Sequence, residues 1–175
     1  MEDIVKCMNP ERARDSIAND CMARVIRAYK YHHPSFRNTL VEFLYAIIDK
    51  AGSDHLQVPS LVNLTLSEFP AIQECGMKAL CLMSEPAEID KHGLRYEKDK
   101  IDVAFHTHIP YLVDCARSIT HAFTFRNYAY QTLCNLTKRE YLKPYILYND
   151  GIAMFLDALK NENNIAGRRI AAKAL

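Results

Sequence analysis

The chain has 175 residues, of which 49% are hydrophobic, with 22 basic and 21 acidic side chains. This size and composition are typical of one sizeable folded domain and exclude a disordered chain. The balanced charge excludes the chain-wide positive field that general nucleic-acid or membrane-surface binders show.

The cysteines are spread through apolar stretches, and no CxxC pair links any two of them. We interpret them as buried free thiols, because an unpaired Cys packs as a small hydrophobic residue in a reducing compartment. No apolar run approaches the ~20 residues that cross a bilayer, and the opening MEDIVKCMNPER is not a basic and then apolar leader. We therefore expect a cytoplasmic or nuclear protein. The six cysteines are Cys7, Cys21, Cys75, Cys81, Cys115 and Cys134.

The first two predicted elements are amphipathic helices. The first has Asn9 as its N-cap, followed by Pro, and extends to about Tyr29. The second is capped by Ser35 and stopped by Gly52. We expect these helices to form an antiparallel pair that serves as an N-terminal cap over residues 1–52. The predicted buried stripe of the second helix is Phe36, Leu40, Phe43, Leu44 and Ile47.

The rest of the chain also predicts helices. Prolines mark helix starts at Pro59, Pro70 and Pro86, because a first-turn amide needs no intrahelical partner. A later helix is expected to bend or split at Pro110, and the charged segment 94–102 is expected to be a solvated connection or a helix start. No stretch alternates with period two between hairpin dipeptides, so the predicted class is all-α. The last predicted helices cover residues 124–136, 139–147, 150–160 and the chain from about 164.

The sequence contains an internal repeat. IPYLVDCAR from Ile109 aligns with IAMFLDALK from Ile152 at an offset of 43, and RNYAYQTL from Arg126 aligns with RRIAAKAL from Arg168 at an offset of 42. A fainter third copy begins with VPSLVNL at Val58. Helices this short cannot bury their apolar faces alone, so each unit needs neighbours. A period near 42 is typical of armadillo and HEAT repeats.

DGIAMFLDALKNENNIAGRRIAAKAL, beginning at Asp150, has a Gly-Ile start, an apolar strip, a polar turn, then Arg, small residues and Leu. It resembles the armadillo family, and IPYLVDCAR with RNYAYQTLCNL resembles the same pattern. The resemblance implies an all-α, armadillo/HEAT-like, right-handed superhelical solenoid over residues 53–175, with its last repeat truncated. We therefore expect the chain to be an N-terminal fragment of a longer solenoid, whose open C-terminal end would allow self-association.

The LCNL sequence around Asn135 is the first candidate binding feature. In armadillo proteins that bind extended peptides, an Asn at this place hydrogen-bonds the peptide backbone, because its amide both donates and accepts. The resemblance therefore implies a peptide-binding role for Asn135. The alternative is an Asn that bonds a local carbonyl or water near the end of its helix.

A basic strip is the second candidate feature. Arg126 and Arg168 occupy matching repeat positions, and Arg169 follows directly. Such a strip would bind an acidic peptide or phosphate, whereas the alternative is an ordinary solvated helix face. Tyr130 is included because Tyr is enriched at interfaces. The predicted groove helices are residues 72–83, 124–136 and 164–175, and further basic residues are Lys138, Arg139, Lys143 and Lys173.

Catalytic and metal-binding patterns are weak. His106 and His108 would point about 200° apart on a helix, and no HExxH frame accompanies them, Cys115 or His121. GxSxG, GxGxxG and GxxxxGK[ST] are all absent, which excludes nucleotide binding through those loops. We expect no catalytic residue, metal or cofactor.

The predicted function is that of a non-enzymatic scaffold that binds a protein or peptide segment in a solenoid groove, without a membrane. One alternative is a HEAT-type, chromosome-associated nucleic-acid scaffold, because IQECGMKALCLMSEPAEIDKHGL resembles the HEAT units of condensin-type subunits. The other alternative is the targeting arm of a larger enzyme whose catalytic part is missing.

Overall fold

The computed structural model describes residues 9, 11, 21–31, 33–51, 57–85, 102–161 and 163–175. Within these ranges every regular element is a helix, so the all-α class is confirmed. None of the described helices is long and apolar enough to cross a bilayer. A short helix covers residues 102–106. The longer elements are α1 (Cys21–Tyr31), α2 (Pro34–Ala51), α3 (Val58–Thr65), α4 (Pro70–Ser84), α5 (Ile109–Arg117), α6 (Phe123–Leu136), α7 (Lys143–Tyr148), α8 (Gly151–Lys160) and α9 (Ile165–Ala174).

Two compact units make up the chain, Met1–Ala79 and Leu80–Leu175. The expected boundary between a cap and the repeats, at residue 52, lies outside the described residues and stays a prediction. The predicted helix start at Pro10 and the helix at Pro86 also lie outside them, as does the charged segment up to residue 101.

In the first unit, α1 packs on α2, and part of the predicted apolar stripe of α2 is buried. Leu40, Leu44 and Ile47 are buried because positions three and four apart share one face of a helix. Phe36 was expected on this stripe, but its side chain is 50% exposed. Helix α2 begins at Pro34, one residue before the predicted Ser35 cap, since Pro suits the first helical position.

A close approach between α3 and α4 depends on Gly76. A Cβ atom added to Gly76 would lie 2.7 Å from Leu64 Cβ and 3.0 Å from the Leu61 carbonyl oxygen. Leu61 and Leu64 are themselves buried, so the two helices meet backbone to side chain at this point. The predicted helix starts at Pro59 and Pro70 are confirmed.

In the second unit, a short helix followed by two longer helices occurs twice. Helix α8 begins 42 residues after α5, and α9 begins 42 residues after α6. Within each set the two longer helices pack together, α5 on α6 and α8 on α9. Equivalent helices also pack on each other, α5 on α8 and α6 on α9, and α7 contacts both α5 and α8.

The register of this internal repeat differs from the alignment at its first helix pair. Ile109 is fully buried whereas Ile152, its expected counterpart, is 48% exposed. A shift of one residue, to a uniform offset of 42, pairs Ile109 with Gly151 and matches most buried positions of α5 with buried positions of α8, although the buried Cys115 then pairs with the exposed Asp157. The matched buried pairs are Leu112 with Met154, Val113 with Phe155, Ala116 with Ala158, and Ala129 with Ala171.

The predicted split near Pro110 is confirmed, and the break lies two residues before it. The short helix ends at residue 106, and Leu112 N donates to the His108 carbonyl oxygen as α5 begins. Pro110 lies in the first turn of α5, where its missing N–H leaves no intrahelical bond unmade.

The start of α8 provides a test of packing. Asp150 has a φ of 60° and precedes Gly151, whose added Cβ would lie 2.4 Å from Ile146 Cγ2 and 2.6 Å from the Ile146 carbonyl oxygen. We expect Gly151→Ala to lower the free energy of unfolding by about 1–3 kcal/mol, because α7 would have to move away from α8. Ile152→Ala, at the exposed neighbouring position, should change it by less than about 0.5 kcal/mol. Urea denaturation followed by circular dichroism measures both, and equal stabilities of the two variants would contradict the close α7–α8 approach.

Candidate functional site

Asn135, predicted to bind a peptide, is a buried side chain of the second unit that joins α6 to Ser84, the last residue of α4. It is 3% exposed. Its Nδ2 donates to Ser84 Oγ at 3.1 Å, and its Oδ1 accepts from Gln131 Nε2 at 2.9 Å. One helical position on the apolar side of α6 therefore carries an amide because it binds the end of α4.

Arg126 and Tyr130, also predicted partner-binding residues, are buried together. Arg126 is 6% exposed and Tyr130 is 2% exposed. Arg126 Nε donates to the Ala116 carbonyl oxygen at 3.1 Å, and its Nη2 donates to Tyr130 Oη at 3.4 Å. The guanidinium thus binds a backbone carbonyl in the last turn of α5, an arrangement favourable to a cation near a helix C-terminus.

Arg168 and Arg169 lie on the exposed side of α9. Among the residues that the structure describes, no carboxylate lies within ion-pair distance of either guanidinium. Arg126 lies on α6, on which α9 packs. Arg168, the residue of α9 that matches Arg126 in the repeat, is exposed.

Asn135, Arg126 and Tyr130 are buried, and their polar groups are hydrogen-bonded inside the second unit. The partner-binding role of these three residues stays a prediction. Arg168 and Arg169 are accessible, and their role in partner binding stays a prediction. The structure joins Arg126 to Tyr130 and does not join Asn135 to either.

A polar cluster that the sequence did not reveal surrounds Arg139. Its Nη1 donates to Asp102 Oδ1, and its Nη2 donates to the Ser84 carbonyl oxygen at 3.4 Å. Both charged side chains are almost excluded from solvent, at 5% and 12% exposure. The expected solvated connection thus ends in a buried acid at the start of the short helix.

No local signal distinguishes this pair from surface charges. Asp102 closes a strongly charged run, and Arg139 lies between Lys138 and Lys143 in a predicted loop and short helix. The pair is separated by 37 positions, so neither helical nor strand periodicity connects them. Lys143, predicted in the same basic cluster, is exposed and pairs with Glu140 at 2.6 Å.

The histidines considered as metal ligands pack against aromatic rings. The His106 ring meets the Tyr145 ring edge-on, with 3.8 Å between centroids, and the His121 ring lies 4.3 Å from Phe125. Burial lowers the pKa of His108. Within the described part of the chain, no three His, Cys, Asp or Glu side chains come together as a metal site would require.

Cys75, Cys81, Cys115 and Cys134 are buried thiols, as predicted. Burial raises the pKa of Cys81 and of Cys115 to about 11. A thiol with such a pKa carries very little thiolate at neutral pH, so these side chains fill space and are poor nucleophiles.

Two further exposed cations lie on α9 and at the end of α6, the helix on which α9 packs. Lys173 is one turn beyond Arg169 on α9, and Lys138 follows the end of α6. Burial raises the pKa of the Cys134 thiol, and the positive charges of Lys138 and Lys173 both act in the opposite direction. Lys138 follows the end of α6 and Lys173 lies in the last turn of α9, and these two helices pack on each other.

Comparison with protein-family models, with curated proteins and with solved structures finds no match for this chain.

Replacement of the buried amide is expected to affect stability. Asn135→Ala leaves the Gln131 amide without its bond and removes one bond from Ser84, so we expect a loss of about 1–2 kcal/mol in the free energy of unfolding. Asn127→Ala is the matched control, because Asn127 Oδ1 is buried without a hydrogen-bond partner among the described residues. A denaturation series in which both variants lose the same stability would show that the Asn135 bonds contribute nothing.

The buried ion pair makes a stronger prediction. Arg139→Met leaves Asp102 as an unpaired buried charge, at a cost of about 3–5 kcal/mol. The double variant Arg139→Met, Asp102→Asn should recover part of that loss, since the stranded charge is gone. Lys143→Met removes the exposed pair and should cost less than about 1 kcal/mol. Guanidinium denaturation compares the three, and a double variant no more stable than Arg139→Met would rule out the stranded charge as the cause.

Proposed function

We propose that this chain is a non-catalytic, armadillo/HEAT-like helical-repeat scaffold that binds a segment of another protein on the exposed surface of α9. The observation that carries the proposal is the packing of like helices in the second unit, α5 on α8 and α6 on α9, at a uniform spacing of 42 residues. Stacking of this kind defines a repeat protein, in which each unit contacts its neighbours and an extended surface is left for binding. The right-handed superhelical path is part of the proposal.

The position of the binding surface follows from burial. The second set of helices, α8 and α9, packs on the first set, α5 and α6. Arg126 and Tyr130, on α6, are buried. Their counterparts 42 residues later, Arg168 and Ala172, are exposed. These two positions of the repeat are therefore accessible to a partner on α9 but not on α6. Arg169 lies beside them, so both accessible guanidiniums of the predicted site share this surface.

The residues of the second unit favour binding over chemistry. Arginine forms charge-assisted, bidentate hydrogen bonds and is enriched at protein interfaces. The buried thiols with raised pKa lack the thiolate that a nucleophile needs. Free thiols also fit a reducing compartment, so we place the protein in the cytoplasm or nucleus.

Affinity capture with charge-reversal variants tests this function. We expect the tagged chain to retain at least one protein from a cell lysate, and Arg168→Glu, Arg169→Glu to lose it, because like charges now face the bound segment. Arg24→Glu, Arg27→Glu is the matched control, since both residues are exposed on α1 and the change in net charge is the same. Quantitative mass spectrometry measures the difference. If no retained protein distinguishes the two variants, α9 is not the binding surface.

A further inference from the structure

Four cations form one surface on the second unit, here named the α9 cationic surface and defined as Lys138, Arg168, Arg169 and Lys173. All four are exposed. Arg169 and Lys173 are four residues apart and so lie on one face of α9. Lys138 is included because it follows the end of α6, the helix on which α9 packs.

The charge of this surface is uncompensated in the described residues. Three other exposed cations have partners: Lys30 lies 3.1 Å from Glu68, Arg117 lies 3.6 Å from Asp157, and Lys143 lies 2.6 Å from Glu140. None of the four residues of the α9 cationic surface has a described carboxylate within 4.0 Å. Because the whole chain carries a net charge of only +1, this excess is local.

Apolar side chains border the cations. Ile165, in the first turn of α9, is 62% exposed, and Ala172 is exposed between Arg169 and Lys173. Small and apolar side chains beside unpaired cations allow a bound chain to lie close to the helix and to bury surface as well as neutralise charge. The α9 cationic surface is thus suited to a protein segment.

The spacing of the cations selects the form of that segment. Arg169 and Lys173 are four residues apart, which corresponds to about 6 Å along a helix axis. In an extended strand, alternate side chains point to the same side and lie about 6.6 Å apart. Carboxylates at alternate positions of an extended chain therefore match the two cations, and Arg168 and Lys138 widen the field on either side.

We propose that the α9 cationic surface binds an extended acidic segment of a partner protein, with Asp or Glu at alternate positions. This inference rests on the proposed protein-binding function and specifies its ligand. A nucleic-acid duplex is the less suitable occupant, because DNA-binding proteins typically neutralise about 6–10 phosphates whereas four cations are present here.

Fluorescence anisotropy with a synthetic peptide tests the proposal on the whole chain. The probe is a fluorescein-labelled peptide of six Glu-Ser repeats, and its neutral control has six Gln-Ser repeats. We expect the acidic peptide to bind, with affinity that falls as salt is added, and the neutral peptide not to bind. Arg169→Glu, Lys173→Glu should lower the affinity for the acidic peptide by about tenfold or more.

The matched control is again Arg24→Glu, Arg27→Glu, which changes net charge equally and should bind the acidic peptide as the wild type does. Equal weakening in both variants would reduce the effect to overall charge and overturn the proposal. Tighter binding of a labelled 20-base-pair duplex, lost in Arg169→Glu, Lys173→Glu, would overturn it in favour of nucleic acid. Thermal melts check that each variant is folded. If Arg169→Glu, Lys173→Glu melts at a lower temperature than the wild type, Arg169→Gln, Lys173→Gln is used in its place, and it should also weaken binding.

The two proposals fail in different ways. If lysate proteins are retained and lost with Arg168→Glu, Arg169→Glu but the acidic peptide does not bind, protein binding stands and the acidic ligand is wrong. If neither the peptide nor any lysate protein depends on α9, both proposals fail.

Discussion

Packing of the second unit depends on one buried guanidinium, that of Arg139. Arg139 contacts Asp102 and the Ser84 carbonyl oxygen, while the neighbouring Asn135 binds the Ser84 hydroxyl. Because an unpaired buried charge is costly, these groups must come together whenever the apolar helices pack. The end of α4, the start of the short helix and the turn after α6 are thereby fixed to one point.

This polar cluster complements the apolar packing. Apolar contacts set how closely helices approach, but they are tolerant of sliding because they have no direction. A hydrogen-bonded ion pair has direction and fixes one register. In the second unit, the fully buried Leu112 and Leu133 supply the non-directional part, and Arg139 supplies the directional part. The repeated order of helices rests on both.

Sequence patterns were sufficient for the helices. Proline positions and apolar spacing predicted most starts and ends to within one or two residues, because first-turn geometry and burial of one face are local properties. The register of the repeat was harder, since IPYLVDCAR and GIAMFLDAL align almost equally well at two offsets. Burial decides between them, because Ile109 is enclosed and Ile152 is not.

The candidate site was predicted less well, for a physical reason. A motif identifies residue type, but whether Arg126 faces solvent depends on what packs against α6, and both α5 and the more distant α9 pack there. The Asp102–Arg139 pair is invisible for the same reason. Arg168 was predicted from its match with Arg126, and Arg169 as its neighbour in a basic cluster. Both are exposed, whereas Arg126 is buried.

Ser84 and Asp102 both accept hydrogen bonds from the Arg139 guanidinium, and this has a consequence for the evolution of the chain. The backbone leaves α4 and re-enters the helical stack at points held together by Arg139, so the number of intervening residues does not set the geometry of the helices on either side. Lengthening such a connection is thermodynamically mild, about 0.6 kcal/mol for each doubling. Related chains could therefore gain or lose sequence between these anchors while keeping the same packing, provided that the acid and the guanidinium change together.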